Sequence, residues 1–250
     1  MKSTKEPSAR EDRTPVALPE KNARRVNEIV TGYFFITATV SAIIGLKLYD
    51  PMLTTVDFLE QGATHSRQII SGAVFEMILV LADCGTAIML YPYLKAYNER
   101  MALGYFCFRV IETVFILLGI VSILSLLTLS HSYAQAGNAD SIHYYAAGIL
   151  AKSFHDWTFI LGPKFVLGIN TFIYSYVFLK TGLVPRKLSL LGLTGAGLVF
   201  MNALSELFGI IPSLSAGDLL LAFPVAIYEM ILAGRLISKG FNIQYIAQNI

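Results

Sequence analysis

Six long apolar segments dominate this sequence and leave few folds open to it. A helix that crosses about 30 Å of hydrocarbon needs about 20 mostly apolar residues. The windows that reach this length are residues 30–48, 69–93, 102–129, 154–179, 188–211 and 219–238. Only 14% of the 250 residues are charged, against about 25% in an ordinary soluble domain. The sequence therefore predicts an all-α integral membrane protein, a bundle of six transmembrane helices.

The two ends of the chain are polar. Residues 1–28 lack the apolar core of a signal peptide, and we expect a disordered, solvated tail. Residues 29–240 form the predicted membrane domain, and residues 241–250 form a short C-terminal tail. A net charge of +2 does not indicate nucleic-acid binding, and two cysteines are too few for a disulfide framework. The lipid bilayer is the partner that the composition implies.

The basic residues alternate between the connections, which predicts how the chain is oriented. One set of connections, together with both ends, holds Lys2, Lys5, Arg10, Arg13, Lys21, Arg24, Arg25, Lys95, Arg100, Lys180, Arg186, Lys187, Arg235 and Lys239. The other set holds Lys47, Arg67 and Lys152. Because cytoplasmic loops are enriched in Lys and Arg, both termini are predicted to be cytoplasmic.

Two local features refine the predicted bundle. Gly162 and Pro163 lie in the middle of the fourth window, where Pro163 removes the hydrogen bond to the Phe159 carbonyl and should kink the helix. In the preceding outer loop, Asp140 is placed to cap a short helix at the membrane interface. The residues expected on one face of that helix are Ile142, Tyr145, Ile149 and Leu150.

Small residues follow one another in the fifth window and predict a close helix contact. They are Gly192, Gly195, Ala196 and Gly197, and small residues let two helix backbones approach each other. Packing within the bundle is the favoured interpretation. The same pattern also suits pairing of two copies in a homo-oligomer.

Ionisable residues inside the apolar windows are the candidate binding residues, because a central charge costs about 2.5–3.5 kcal/mol even on lenient scales. Counting about 1.5 Å per residue from each window end places them at two depths. The midplane charge cluster comprises Asp83, Glu112, Lys164 and Glu229, with Arg109 one turn nearer the cytoplasm. Nearer the outer face lie Glu76, His155, Asp156, Asn202 and Glu206.

Three interpretations of these residues are open. The midplane cluster can be an inert ion network that holds the bundle together, in a structural or regulatory protein. It can also bind a small polar solute or handle protons or cations, since the acids outnumber the cations and some carboxyl groups must be neutralised. In the third interpretation, His155, Asp156 and a neighbouring glutamate bind a metal ion in a membrane-embedded lipid hydrolase.

The third interpretation has the weakest support from the sequence. No glycine-rich phosphate loop, CxxC or HExxH motif occurs, and His155 stands without a second histidine at ligand spacing. The sequence assigns no catalytic residue, no confident metal ligand and no cofactor. A protein that is not an enzyme is therefore the favoured prediction.

Several motifs resemble a known family. They are the stretch from His155 to Pro163 (HDWTFILGP), the stretch from Gly182 to Arg186 (GLVPR), Asp83 with Leu90-Tyr91-Pro92, Phe108-Arg109-Val110-Ile111-Glu112, and Glu229. Together they resemble the bacterial multi-pass membrane proteins grouped as domain of unknown function 4386. The resemblance covers roughly residues 30–239 and implies a bacterial plasma-membrane protein, with no activity to carry over.

Lys164 departs from the family pattern, in which a small residue usually follows the Gly-Pro pair. The resemblance therefore makes the lysine a weaker candidate for a functional residue. The favoured candidates are Asp83, Arg109, Glu112, His155, Asp156 and Glu229.

Overall fold

The computed structural model describes residues 20–136 and 141–244 and is helical throughout. Its helices are α1 (Lys21–Leu48), α2 (Asp50–Leu53), α3 (Phe58–Thr64), α4 (Ser66–Tyr97), α5 (Glu99–Ala136), α6 (Ser141–Ile160), α7 (Leu167–Thr181), α8 (Arg186–Leu207) and α9 (Ala216–Ser238). A π-helical segment, Leu161–Val166, joins α6 to α7. No β-strand occurs in these residues, and the predicted all-α class is confirmed.

Among the described residues, five helices are long and apolar enough to span a membrane. They are α1, α4, α5, α8 and α9. Large apolar side chains on them face outward, including Ile43, Leu81 and Val121, each more than half exposed. Such an exposed apolar surface suits lipid rather than water. The chain is therefore a multi-pass membrane protein.

The fourth predicted window lies within a run of three contiguous elements, α6, the π-helical segment and α7, which together cover residues 141–181. Pro163 lies inside the π-helical segment. Because proline has no amide hydrogen to donate to the carbonyl four residues earlier, the wider hydrogen-bonding pattern replaces the α-helical one here. The departure from α-helical hydrogen bonding thus occurs at Pro163, where the sequence predicted it. A change in the direction of the helix axis at this point stays a prediction.

The separate interfacial helix predicted after Asp140 is wrong. Ile142, Tyr145, Ile149 and Leu150 all belong to α6, which continues to Ile160, and Asp140 lies outside the described residues. The helix runs without interruption through Lys152, whose ammonium lies 5.9 Å from the centre of the Phe58 ring.

The helix ends meet in two groups, and the first contains both ends of the described chain. Arg25 of α1 donates hydrogen bonds to the carbonyls of Leu236, at 2.7 Å, and Ile237 of α9. The backbone amide of Asn242 donates to the carbonyl of Leu183, 2.8 Å away, in the connection before α8. Because the neighbouring loops carry most of the Lys and Arg residues, we call this side of the bundle the basic end.

The opposite end is closed by the connection between α1 and α4. Its short helices α2 and α3 bury Met52, Phe58 and Leu59 against the start of α4 and the end of α5. Tyr133 of α5 and Tyr144 of α6 lie here too, with ring centres 5.8 Å apart. The chain therefore leaves α5 and enters α6 at the end opposite to the basic end.

The small residues of α8 pack inside the bundle, as the favoured interpretation predicted. A Cβ atom on Gly195 would lie 3.0 Å from the backbone of Val225 in α9, and one on Gly192 would collide with Ser175 and Tyr228. Gly197 faces open space, with nothing within 4 Å. The contact between α8 and α9 therefore depends on Gly192 and Gly195.

We predict that Gly195→Ala destabilises the protein by about 1–3 kcal/mol, because the backbone of Val225 cannot rotate away from the added methyl group. Gly197→Ala is the matched control, and it should be neutral or slightly stabilising because alanine favours the helix. Thermal unfolding in detergent measures the difference. Equal melting temperatures for the two variants would contradict the α8–α9 packing.

Candidate functional site

Most of the buried acidic and basic side chains in the described residues belong to three clusters; buried Glu28, which pairs with Arg25 at the basic end, lies apart from them. The Arg109 cluster comprises Asp83, Arg109, Glu112, Asn170 and Glu229; the Lys164 cluster comprises Lys164, Asn202, Glu206 and Asp218; and the Glu76 cluster comprises Tyr49, Glu76, His155 and Asp156. The sequence predicted two groups separated by depth. The structure instead brings Lys164 together with Glu206 and Asn202, which the sequence had placed at the other depth.

Arg109 is the centre of the first cluster and is only 2% exposed. Its Nη1 lies 3.1 Å from Oδ1 of Asp83 and 3.2 Å from Oε2 of Glu112. Arg109 and Glu112 share a face of α5 because they are three residues apart, whereas Asp83 reaches the site from α4. Nδ2 of Asn170 in α7 donates a 2.6 Å hydrogen bond to the same Glu112 oxygen. The cluster thus ties α4, α5 and α7 together.

Glu229 adds a third carboxyl group from α9. It interacts electrostatically with Arg109, and its carboxyl group lies near the hydroxyls of Thr39 in α1 and Tyr174 in α7. Neither hydroxyl forms a hydrogen bond to it in the described geometry. Two carboxyl groups therefore contact the guanidinium group, and a third interacts with it at longer range.

Several buried polar atoms around Arg109 have no hydrogen-bond partner in the protein. They are Nε and Nη2 of Arg109, Oδ1 of Asn170, and the hydroxyls of Thr39, Tyr105, Thr171 and Tyr174. An unpaired buried polar group costs about 1–3 kcal/mol, and native proteins satisfy such groups with water or a ligand. This set supplies both donors and acceptors, so it can bind water or a small polar species.

The Lys164 cluster is more completely paired. The Lys164 ammonium lies 2.6 Å from Oε1 of Glu206 and 2.8 Å from Oδ1 of Asp218, and all three residues are buried. Asn202 donates a 2.6 Å hydrogen bond to Asp218, and Ser213 donates one to Glu206. These contacts join the π-helical segment to α8 and α9.

The predicted midplane grouping is therefore corrected for Lys164. Its ammonium pairs with Glu206, which the sequence placed nearer the outer face, and not with Asp83, Glu112 or Glu229. Depth along a helix does not fix the direction of a side chain around the helix axis. As a result, two residues of similar depth can belong to different clusters.

Asp218 and Asn170 were missed by the sequence analysis. Asp218 stands one residue before the sixth window, but Ser215 and Asp218 have the spacing of a helix N-cap. Ser215 indeed caps α9, accepting a 3.3 Å hydrogen bond from the amide of Asp218. That signal could have placed Asp218 at the start of α9. Asn170 has no such signal, since a single amide in an apolar window is not unusual.

The Glu76 cluster borders a small cavity at the side of the bundle opposite the basic end. The Tyr49 hydroxyl donates a 3.2 Å hydrogen bond to Glu76, and His155 Nδ1 lies 3.3 Å from Asp156 Oδ1. Glu76 and His155 are buried, whereas Asp156 is half exposed. The cavity has a volume of about 50 Å³ and is also lined by Thr158 and Pro163, so it can hold at least one water molecule.

The Glu76 cluster does not provide a metal site. Within residues 20–136 and 141–244, no three His, Cys, Asp or Glu side chains are grouped so that they could hold a metal ion. Asn202 and Glu206, predicted to lie beside His155 and Glu76, belong to the Lys164 cluster instead. The lipid-hydrolase interpretation therefore has no ligand set among these residues.

The family described as Domain of unknown function (DUF4386) matches residues 30–240, which include all three clusters. No curated protein and no solved structure shows significant similarity to the chain.

We predict that Lys164→Met destabilises the protein by about 3–5 kcal/mol, because it leaves the buried Glu206 and Asp218 carboxylates without their cation. Lys180→Met is the matched control. Its ammonium is exposed and contacts only the face of the Tyr176 ring, at 5.5 Å, so we expect a change below about 1 kcal/mol. Thermal unfolding in detergent compares the two. Similar melting temperatures would show that the Lys164 ion pairs do not stabilise the bundle.

Proposed function

We propose that this chain, which belongs to the DUF4386 family, binds and exchanges protons or small cations at the Arg109 cluster. The observation that carries the proposal is the charge imbalance at that cluster. Asp83 and Glu112 contact one guanidinium group, and the carboxyl group of Glu229 interacts with the same group at longer range.

The energetic argument follows from burial in a medium of low dielectric constant. Asp83 and Glu112 are buried and Glu229 is partly buried. If all three carboxyl groups were ionised, the cluster would carry two excess negative charges in a largely apolar environment. Such charges are costly, and a protein reduces the cost by protonating a carboxyl group or by binding a cation. The Arg109 cluster is therefore suited to hold an exchangeable proton or cation.

The unpaired hydroxyls supply a polar lining for that species. Thr39 and Tyr174 lie beside Glu229, and Tyr105 lies beside Arg109, whose Cζ is 5.8 Å from the ring centre. Hydroxyl oxygens are ligands for small cations and can relay protons through water. The same lining also supports the wider alternative in which a small polar solute binds here.

The π-helical segment supports a role for α7 in exchange. Asn170, which holds Glu112, stands one helical turn after Leu161–Val166. π-helical segments are frequent at functional sites because they weaken the regular hydrogen-bond ladder. We propose that small movements of α7 about this segment change access to Glu112.

The Lys164 cluster fits the inert alternative better. Each of its two carboxyl groups contacts the lysine ammonium, and each accepts at least one further hydrogen bond. We propose that this cluster is structural and fixes α8 and α9 to the π-helical segment.

We also propose that α6, the π-helical segment and α7 together form a sixth crossing. The start of α6 contacts α5 at the end opposite to the basic end. Phe178 near the end of α7 contacts Phe241 at the basic end, with ring centres 5.3 Å apart. These contacts support a path from one side of the bundle to the other, like that of the five apolar helices.

The orientation follows from the charge pattern. We propose that the basic end faces the cytoplasm of a bacterial cell, since Lys and Arg are enriched on that side of the plasma membrane. With the C-terminus in the cytoplasm, a C-terminal fluorescent-protein fusion should emit light and a C-terminal alkaline phosphatase fusion should be inactive. The reverse pattern would contradict the orientation.

The exchange function is tested by ion flux into liposomes that contain the full-length protein and a trapped pH-sensitive dye. We predict that an imposed Na⁺ or K⁺ gradient moves protons faster than in protein-free vesicles. Asp83→Asn with Glu229→Gln should reduce the rate to that of protein-free vesicles, because the variant removes two of the three exchangeable carboxyl groups.

The matched control is Asp57→Asn with Glu60→Gln, which makes the same chemical changes at two exposed residues. It should keep the wild-type rate. Absence of proton flux in the wild type, or equal rates for both double variants when both are folded by thermal unfolding, would overturn the proposal.

A further inference from the structure

A groove at the basic end lies between the first turns of α8 and the last turns of α9. It has a volume of about 500 Å³ and opens to the surroundings. The groove is separate from the three buried clusters, and the exchange proposal does not use it. Its wall combines charged and apolar residues in two zones.

The charged zone is entirely basic. Lys187 of α8, Arg235 of α9 and Lys239, which follows α9, line it together with the Ser238 hydroxyl. None of the described residues that line the groove carries a carboxyl group. The Nε atom of Arg235 is buried and has no hydrogen-bond partner in the protein. The groove therefore offers three positive charges to an anion.

The apolar zone lies deeper along the same two helices. Leu191 stands one turn after Lys187, about 6 Å along α8, and Ile231 stands eight residues before Lys239, about 12 Å along α9. Leu188 completes this zone, and Ile231 is 49% exposed. The cations thus lie at the end of the bundle, with an apolar surface between them and the middle of the membrane.

We propose that this groove is a binding site for an anionic phospholipid. The phosphate lies among Lys187, Arg235 and Lys239, and one acyl chain follows Leu191 and Ile231 toward the bilayer core. Basic pockets between transmembrane helices recognise anionic headgroups in this way. The first turn of α8 borders the phosphate position, and its positive dipole end favours an anion there.

The apolar zone distinguishes a lipid from a soluble phosphate. A free phosphate ion would use only the three cations and would leave Leu191 and Ile231 without a partner. A phospholipid matches both zones in the order in which a bilayer presents its headgroup and acyl chains.

The test is native mass spectrometry of the full-length protein in detergent, titrated with phosphatidylglycerol. We expect one saturable lipid site. Lys187→Gln with Lys239→Gln should weaken it about thirtyfold, because each basic residue contributes about 1 kcal/mol and a tenfold change corresponds to about 1.4 kcal/mol. Arg100→Gln with Lys180→Gln, which removes two exposed basic residues near the same end but outside the groove, should leave binding unchanged.

Three further measurements distinguish a specific phospholipid site from diffuse surface attraction, from a soluble-phosphate site and from coverage by the chain itself. Phosphatidylcholine should bind much more weakly, and glycerol phosphate should not compete. An equal loss in both double variants would overturn the proposal by showing diffuse surface attraction, and competition by glycerol phosphate would overturn the role of the apolar zone. A zero-length cross-link from Lys187 or Lys239 to an acidic residue of segment 1–19 would also overturn it, since a part of the chain would then cover the groove.

Discussion

The centre of this bundle depends on the ionic interactions of the Arg109 guanidinium group. This group contacts carboxyl groups from α4 and α5 and interacts with a third from α9. Without the cation, these buried carboxyl groups would repel one another in a medium that screens charge poorly. The helices can therefore approach at this depth because Arg109 lies between them.

The two ionic clusters around Lys164 and Arg109 differ in charge balance, and the proposed roles rest on this difference. Around Lys164, two carboxyl groups share one ammonium and take additional hydrogen bonds from Asn202 and Ser213. Around Arg109, two carboxyl groups contact one cation and a third interacts with it at longer range, while the hydroxyls of Thr39 and Tyr174 lie near Glu229 without a well-formed hydrogen bond. The first arrangement fixes helices in place. The second leaves both charge and hydrogen-bonding capacity for an exchangeable species, in the account proposed above.

The helical class, the family and the irregularity at Pro163 could be predicted from the sequence. The length of an apolar segment and the missing amide hydrogen of a proline are local properties of the chain. The sequence also placed Asp83, Arg109 and Glu112 in one charge cluster. Arg109 and Glu112 could be paired from the sequence because they lie three residues apart on one helix. The sequence misplaced Lys164 because the partners of that residue come from α8 and α9, and contacts between distant helices cannot be read from the spacing within one helix. The helix after Asp140 was predicted as a short one, and nothing in the sequence indicated that it continues to Ile160.

The central claim is that the carboxyl groups around Arg109 cannot all remain ionised unless a cation joins them. Infrared difference spectroscopy of the protein in lipid, recorded between neutral and alkaline pH without added metal cations, measures this directly through the carbonyl stretch of protonated carboxyl groups. The account predicts a protonated-carboxyl band at neutral pH that is lost or shifted in Glu229→Gln or in Asp83→Asn. A spectrum without such a band, or with a band that neither substitution changes, would contradict it.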